Sequence, residues 1–293
     1  MKNLAETNKH LDTIMQMHGV EEFKSMVQRI QNFQQHSKEN NVSLPHYLFV
    51  ATKRSVGVED SVNALAEYLH SSKTIEFIGN VKHFWFKLEY QNPNEDFSEL
   101  ARFHKAMADC KGYNRYFKGI AFIDVTAWLK HRTDEPYFLL FLDYIVSESD
   151  KILAIFYAQT EDIREIERIE SSLSSRLRFE TVRFDIPGAH DLVEIMEIQH
   201  FKPRGFNFTK DAKSLLKDSI ERITESPNFS GFRSISQLAE DILFKQYTNV
   251  KTGSISACKL ADYSKDSPYI NRIAQPKRTE FGFNTQTRKE NSK

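Results

Sequence analysis

Three runs of consecutive apolar residues constrain this chain more than anything else in it: HYLFVA (His46–Ala51), GIAFI (Gly119–Ile123, closing on Asp124) and KILAIFYA (Lys151–Ala158). Each has the length of a β-strand, and each is apolar on neighbouring positions rather than alternate ones. Both faces of such a strand must be covered, and helices packed on either side of a parallel sheet do this. The intervening segments carry helical periodicity. Val62, Leu65, Ala66 and Leu69 stand at i, i+3, i+4 and i+7, and Tyr137, Leu140, Phe141, Tyr144 and Ile145 mark another helix over Pro136–Ser147. Strands alternating with helices predict an α/β fold with a parallel sheet.

The remaining pieces fit that frame. Val20, Phe23, Val27, Ile30 and Phe33 predict a helix before the first strand, and Gly19 separates it from a shorter helix nearer the N-terminus. The polar stretch His36–Ser43 reads as a loop. TIEFI (Thr74–Ile78) reads as a second strand and HFWFKLEY (His83–Tyr90), with its alternating pattern, as a third. Phe97–Ala108 and the charged stretch beginning at Glu161 read as helices, and FETVRF (Phe179–Phe184) as the last strand. After Pro187 the pattern turns to helices alone, about Ala189–Lys202, Thr209–Ser226 and Ser234–Tyr247. The expected domains are an α/β core with its N-terminal helices over 1–186, a small all-helical lid over 187–248, and a polar, basic tail over 249–293.

Composition excludes several classes. Lys plus Arg and Asp plus Glu stand at 40 each, so bulk charge favours neither nucleic acid nor a membrane surface. The residues after Tyr269 hold six Lys or Arg against two Glu, without an aromatic-rich basic patch, so nucleic-acid binding is not expected. No apolar run reaches the ~18 residues a spanning helix needs. The first residues lack the apolar stretch of a secretory signal, and Cys110 and Cys258 match no metal or redox spacing; a cytoplasmic protein with reduced thiols is expected. His104, His131, His190 and His200 show no paired metal spacing.

Asp124 is the first candidate for chemistry. A carboxylate at the tip of a buried strand is where nucleoside-triphosphate enzymes hold Mg²⁺. The plainer alternative is a turn cap or ion pair. The order of pieces over about residues 8–248 resembles an AAA+ ATPase module of the CbxX/CfxQ (SpoVK-like) type. LDTIMQMHGVEEFKSMV (Leu11–Val27) is similar to the family's opening, which implies that His18–Val20 lie beside an adenine base. HYLFVATKRSVGVEDSVNALAEYL (His46–Leu69) resembles its phosphate-binding strand, loop and helix. In that alignment the loop's last glycine is Gly57, its lysine position is Val58, its hydroxyl position is Glu59, and Thr52 and Ser55 replace further glycines. Lys53 or Arg54 could stand in for the lysine.

The resemblance also assigns Gln159 or Thr160 as the polar sensor, Arg176 (with Arg178 as alternative) as the arginine finger reaching a neighbouring subunit's site, and Arg233 in FSGFRSISQLAEDI (Phe229–Ile242) as the lid's sensor arginine. Val125 replaces the catalytic Glu that follows the family's strand-end Asp. Phe84, Trp85 and Phe86 could form a pore loop or pack in the core. The expected function is a catalytically inactive AAA+-like subunit that oligomerises with itself or an active paralogue and needs no cofactor, with ATP or ADP and Mg²⁺ as conceivable ligands. The alternative is a working remodelling ATPase with a non-standard phosphate loop.

Overall fold

The computed structural model describes residues 2–37, 44–53, 56–89, 98–112, 116–128, 136–226, 228–247, 253–256 and 259–260. The chain divides into two compact units, 1–191 and 192–293.

The first unit is built on five strands: β1 (His46–Ala51), β2 (His83–Lys87), β3 (Gly119–Asp124), β4 (Ile152–Gln159) and β5 (Phe179–Phe184). All pair in parallel, in the order β2-β3-β4-β1-β5. The three runs that are apolar throughout occupy the centre, where both faces need covering. The less apolar β2 and β5 form the edges. Among the described residues six helices flank the sheet: α1 (Lys2–Met15), α2 (Glu21–Ser37), α3 (Val58–Ser71), α4 (Ser98–Asp109), α5 (Pro136–Ser147) and α6 (Ile163–Ser174).

Alternate strand residues feed two separate cores. On one face Leu48, Ala121, Ile123, Ala154 and Phe156 pack with Phe103 of α4, Phe138, Phe141 and Ile145 of α5 and Ile169 of α6. On the other, Tyr47, Phe49, Phe122, Ile155 and Phe184 pack with Ile14 of α1, Phe23, Val27 and Ile30 of α2 and Leu65 and Leu69 of α3. The predicted helical stripe Val62, Leu65, Ala66, Leu69 is buried along its whole length.

Gly19 ends the link between α1 and α2 with φ of 74°, and a Cβ there would lie 2.1 Å from Cγ of Pro187. The interruption expected at Gly19 is therefore both a left-handed backbone position and a close approach. The helix α1 starts nine residues earlier than the apolar pattern from Leu11 suggests.

Three expectations are corrected. Thr74–Ile78 is not a strand. Only Ile78 makes a β-bridge, to Lys118, while Ile75 and Phe77 pack as partly buried residues against the core beside α3. Their hydrophobicity is satisfied by covering a core, not by joining a ladder. Second, His36 and Ser37 are the end of α2 rather than loop. Third, the stretch after Pro187 is not helical alone. In the second unit, β6 (Phe206–Phe208) pairs in parallel with β7 (Gly253–Ile255). Gly253–Ile255 comes from the segment expected to be a tail.

Helix α7 (Ala189–Met196) runs across the division between the units, and the second unit continues with a π-helical turn over Glu197–Phe201, α8 (Lys210–Thr224) and α9 (Phe232–Tyr247). Thr209 caps α8 by accepting the amide of Ala212 at 3.3 Å. Glu197, 4 % exposed, accepts the Phe208 amide at 3.0 Å and pairs with Lys213 at 2.6 Å, tying the π-turn to β6 and α8. Among the described residues no helix is long and apolar enough to cross a membrane.

Candidate functional site

Open parallel sheets offer ligands the crevice at the carboxyl ends of their strands. Here that edge is formed by the ends of β1, β3, β4 and β5, and it gathers most of the residues singled out in the sequence. Asp124 closes β3, aligned with Tyr157 of β4. Gln159 closes β4, aligned with Ala51, after which the loop to α3 begins.

The Asp124 carboxylate is used locally. Its Oδ1 accepts the amide of Thr126 at 2.9 Å, capping the 3₁₀ turn Thr126–Trp128. The Thr126 hydroxyl oxygen in turn accepts the amide of Gln159 at 3.1 Å, so the ends of β3 and β4 are tied through one side chain. Val125 between them is fully buried and donates its amide to the Tyr157 carbonyl at 2.8 Å. Trp128, also buried, closes the turn by donating to the Val125 carbonyl at 2.9 Å.

Thr160 is equally engaged. Its amide donates to the Ala51 carbonyl at 3.0 Å. Its hydroxyl donates to Glu165 at 2.6 Å and accepts the Asp162 amide at 3.0 Å. Asp162 then caps α6 by accepting the Arg164 amide at 2.9 Å. This is a helix-start network that caps α6.

The loop between β1 and α3 turns inward. Gly57 adopts φ of 86°, as the left-handed first residue of the helix cap, and its carbonyl accepts the Ser61 amide at 3.0 Å. On either side of it Val56 and Val58 are 1 % and 8 % exposed and belong to the core with α2 and α3. A phosphate cradle needs small residues and a cation at this place. Two valines instead hold the loop down by hydrophobic burial. Lys53 lies 3.9 Å from the exposed Glu161. Arg54 and Ser55 lie outside the described residues. In the alignment that the resemblance implies, buried Val58 would stand at the lysine position and Glu59 at the hydroxyl position, and with the Asp124 carboxylate capping a turn that set of groups does not fit a nucleoside triphosphate with Mg²⁺. Among the described residues no group of three or more His, Cys, Asp or Glu gathers to hold a metal.

The other candidates are dispersed. Val20 is buried at the start of α2, against the core with Phe23. Arg176 follows α6 and precedes β5, at the opposite edge of the sheet from Asp124; it is exposed and pairs with Asp143 at 2.8 Å. Arg233 lies in the first turn of α9 in the second unit. Phe84 and Phe86 are buried in the core, while Trp85 points to the other face of the edge strand, 45 % exposed, with its ring 4.0 Å from that of Phe122. Tyr90, Cys258 and the basic residues after Tyr269 lie outside the described residues.

Two participants escape the sequence reading. Thr126 bridges Asp124 and Gln159, and the Asp-x-Thr spacing is itself a signature of a side-chain-capped turn. His46 accepts a main-chain amide deep in the sheet, as described below, and no pattern in the sequence signals it. Neither a family model nor a curated protein matches the sequence.

Proposed function

We propose that this chain is a catalytically inactive relative of the AAA+ ATPases, working as an oligomerising or regulatory subunit. Its strand order is compatible with a P-loop-like core. The observation that carries the reading is the inward loop after β1: Val56 and Val58 are buried where such an enzyme needs an open cradle and a lysine. Fully buried Val125, in place of a catalytic carboxylate, points the same way. Catalysis in this class rests on positioning and charge stabilisation, and an arginine finger alone can supply ~10³ to 10⁵ in rate. A site without lysine, metal-binding hydroxyl and catalytic Glu is expected to turn over at background.

Arg176 suits a role in a neighbour's site. It is exposed, lies away from this chain's own Asp124 edge, and pairs with Asp143 at 2.8 Å. We propose a homo- or hetero-oligomer in which Arg176 completes the nucleotide site of an active paralogue. The second unit, with Arg233, would serve as the lid of this module. The alternative, a working ATPase that recruits Lys53, is disfavoured by the burial of Val56 and Val58 where the phosphates would have to lie.

Two measurements test the proposal on the full chain. Phosphate release from ATP with Mg²⁺ should equal a buffer blank, and calorimetric titration with ATP and Mg²⁺ should show no micromolar binding. Turnover abolished by Asp124→Ala, or micromolar binding lost in Lys53→Ala, would overturn it.

A further inference from the structure

The amino-terminal edge of the sheet, opposite Asp124, carries a cavity of about 520 Å³. Its rim includes the first residues of three strands, His46, Gly119 and Ile152, together with the segment that leads into β5. The volume falls within the roughly 300–1,000 Å³ typical of small-molecule sites.

The lining is cationic. Lys73, Lys118, Lys151, Arg176 and Arg178 face Glu76 and Asp150. Three of the five cations have carboxylate partners: Lys118 with Glu76 at 3.0 Å, Lys151 with Glu148 at 2.8 Å and Arg176 with Asp143 at 2.8 Å. Lys73 and Arg178, among the described residues, have none. An apolar wall stands beside the charges, formed by Phe33, Leu44 and Val146.

His46 adds a neutral donor. It is 8 % exposed, lines the cavity, and its Nδ1 accepts the amide of Ala154 in β4 at 3.1 Å. That amide can only donate, so Nδ1 is the bare nitrogen and the ring proton sits on Nε2. Burial lowers the pKa of His46 to about 4, which keeps the ring uncharged at neutral pH.

We propose that this cavity binds a phosphate monoester of a small organic molecule. Arg178 and Lys73 supply the uncompensated positive charge, His46 the Nε2–H donor, and Phe33, Leu44 and Val146 the surface for the organic part. The five cations face four carboxylates, Glu76, Asp150, Glu148 and Asp143, so the cavity keeps an excess of positive charge that suits an anion, and the guanidinium fork of Arg178 matches phosphate oxygens. The site uses the edge of the sheet opposite Asp124 and shares only Arg176 with the pseudo-ATPase reading; Arg176 is paired with Asp143 and is not among the groups assigned to the phosphate.

The test is calorimetric titration of the full chain with phenyl phosphate, and separately with inorganic phosphate. Phenyl phosphate is expected to bind saturably with a Kd below about 1 mM, and inorganic phosphate to compete with it more weakly. The double variant Arg178→Gln, Lys73→Gln should weaken phenyl phosphate at least about tenfold, and Glu76→Gln, which releases Lys118, should tighten it about threefold. Arg178 and Lys73 are exposed, and the double variant's circular dichroism should match that of the parent. Absence of saturable heat with phenyl phosphate up to about 10 mM, or unchanged affinity in the folded double variant, would overturn the proposal.

Discussion

His46 Nδ1 accepts the main-chain amide of Ala154 at 3.1 Å, so a side chain takes a place that a strand carbonyl would otherwise fill at the head of β4. The ring can do this only while neutral. Its pKa is lowered by burial from 6.5 to about 4 in the folded chain. Protonation is therefore favoured by unfolding. The stability that His46 contributes is complete above its unfolded pKa of 6.5 and is lost as pH falls through that value toward about 4. A shift of this size corresponds to about 3 kcal/mol at most. His46→Gln keeps an acceptor without titrating. Urea unfolding of the two proteins between pH 7 and pH 4 should show a shallower acid loss for the variant.

The Asp124 carboxylate is expected to matter for folding, not for turnover. Asp124→Ala removes the acceptor for the Thr126 amide and should cost about 1 kcal/mol, as for loss of a helix cap. Asp124→Asn retains the acceptor oxygen and should cost less than half of that. Equal losses in denaturant titrations of the two variants would contradict the capping role.

Placing a carboxylate at position 125 should fail. Val125 is fully buried beside Trp128, so Val125→Glu places an uncompensated charge in the core and is expected to destabilise by about 3 kcal/mol or more. Thermal unfolding should show a large fall in Tm, without any gain in phosphate release. Val58→Lys should be milder, because Val58 stands 8 % exposed at a helix start and a long side chain there can reach water.

Gly19→Ala combines a strained backbone with a steric clash. The left-handed φ of 74° costs about 1 kcal/mol for a residue with a side chain, and the new Cβ would sit 2.1 Å from the Pro187 ring. A total of about 3 kcal/mol is expected. Adding Pro187→Ala removes the Cγ and should return part of it, leaving a positive coupling in the double-mutant cycle measured by chemical denaturation.

In the second unit, Glu197→Ala would leave the buried Phe208 amide and the Lys213 ammonium without their acceptor. A loss of about 3 kcal/mol is expected, against about 1 kcal/mol for Glu197→Gln, which still accepts from Phe208. Hydrogen exchange at Phe208 reads the two outcomes directly.

The parallel sheet was legible because the central strands are apolar on successive residues, which only two-sided covering can satisfy. The helices over 58–71 and 136–147 were legible from their stripes. The short ladder of Phe206–Phe208 with Gly253–Ile255 was not, since three residues are too few to display a period and their partner lies 47 positions away by register. TIEFI misled because strand-like composition also serves a segment that lies over a core. At the candidate site, the sequence located Asp124, Gln159 and Thr160 on one edge. It could not tell that Asp124 and the Gln159 amide are engaged by Thr126 and the Thr160 hydroxyl by Glu165 and Asp162, because that depends on distances set by the fold.

Trp85 and Trp128 are the protein's two tryptophans, and their surroundings are opposite. Trp85 stands half in solvent on the edge strand, whereas Trp128 is enclosed in the turn that the Asp124 carboxylate caps. The chain thus carries two intrinsic fluorophores of different colour: a red-shifted one that dissolved quenchers can reach, and a blue one that they cannot. Replacing Trp85 with Phe would leave the emission of a single indole, placed to report optically on the closing turn of β3.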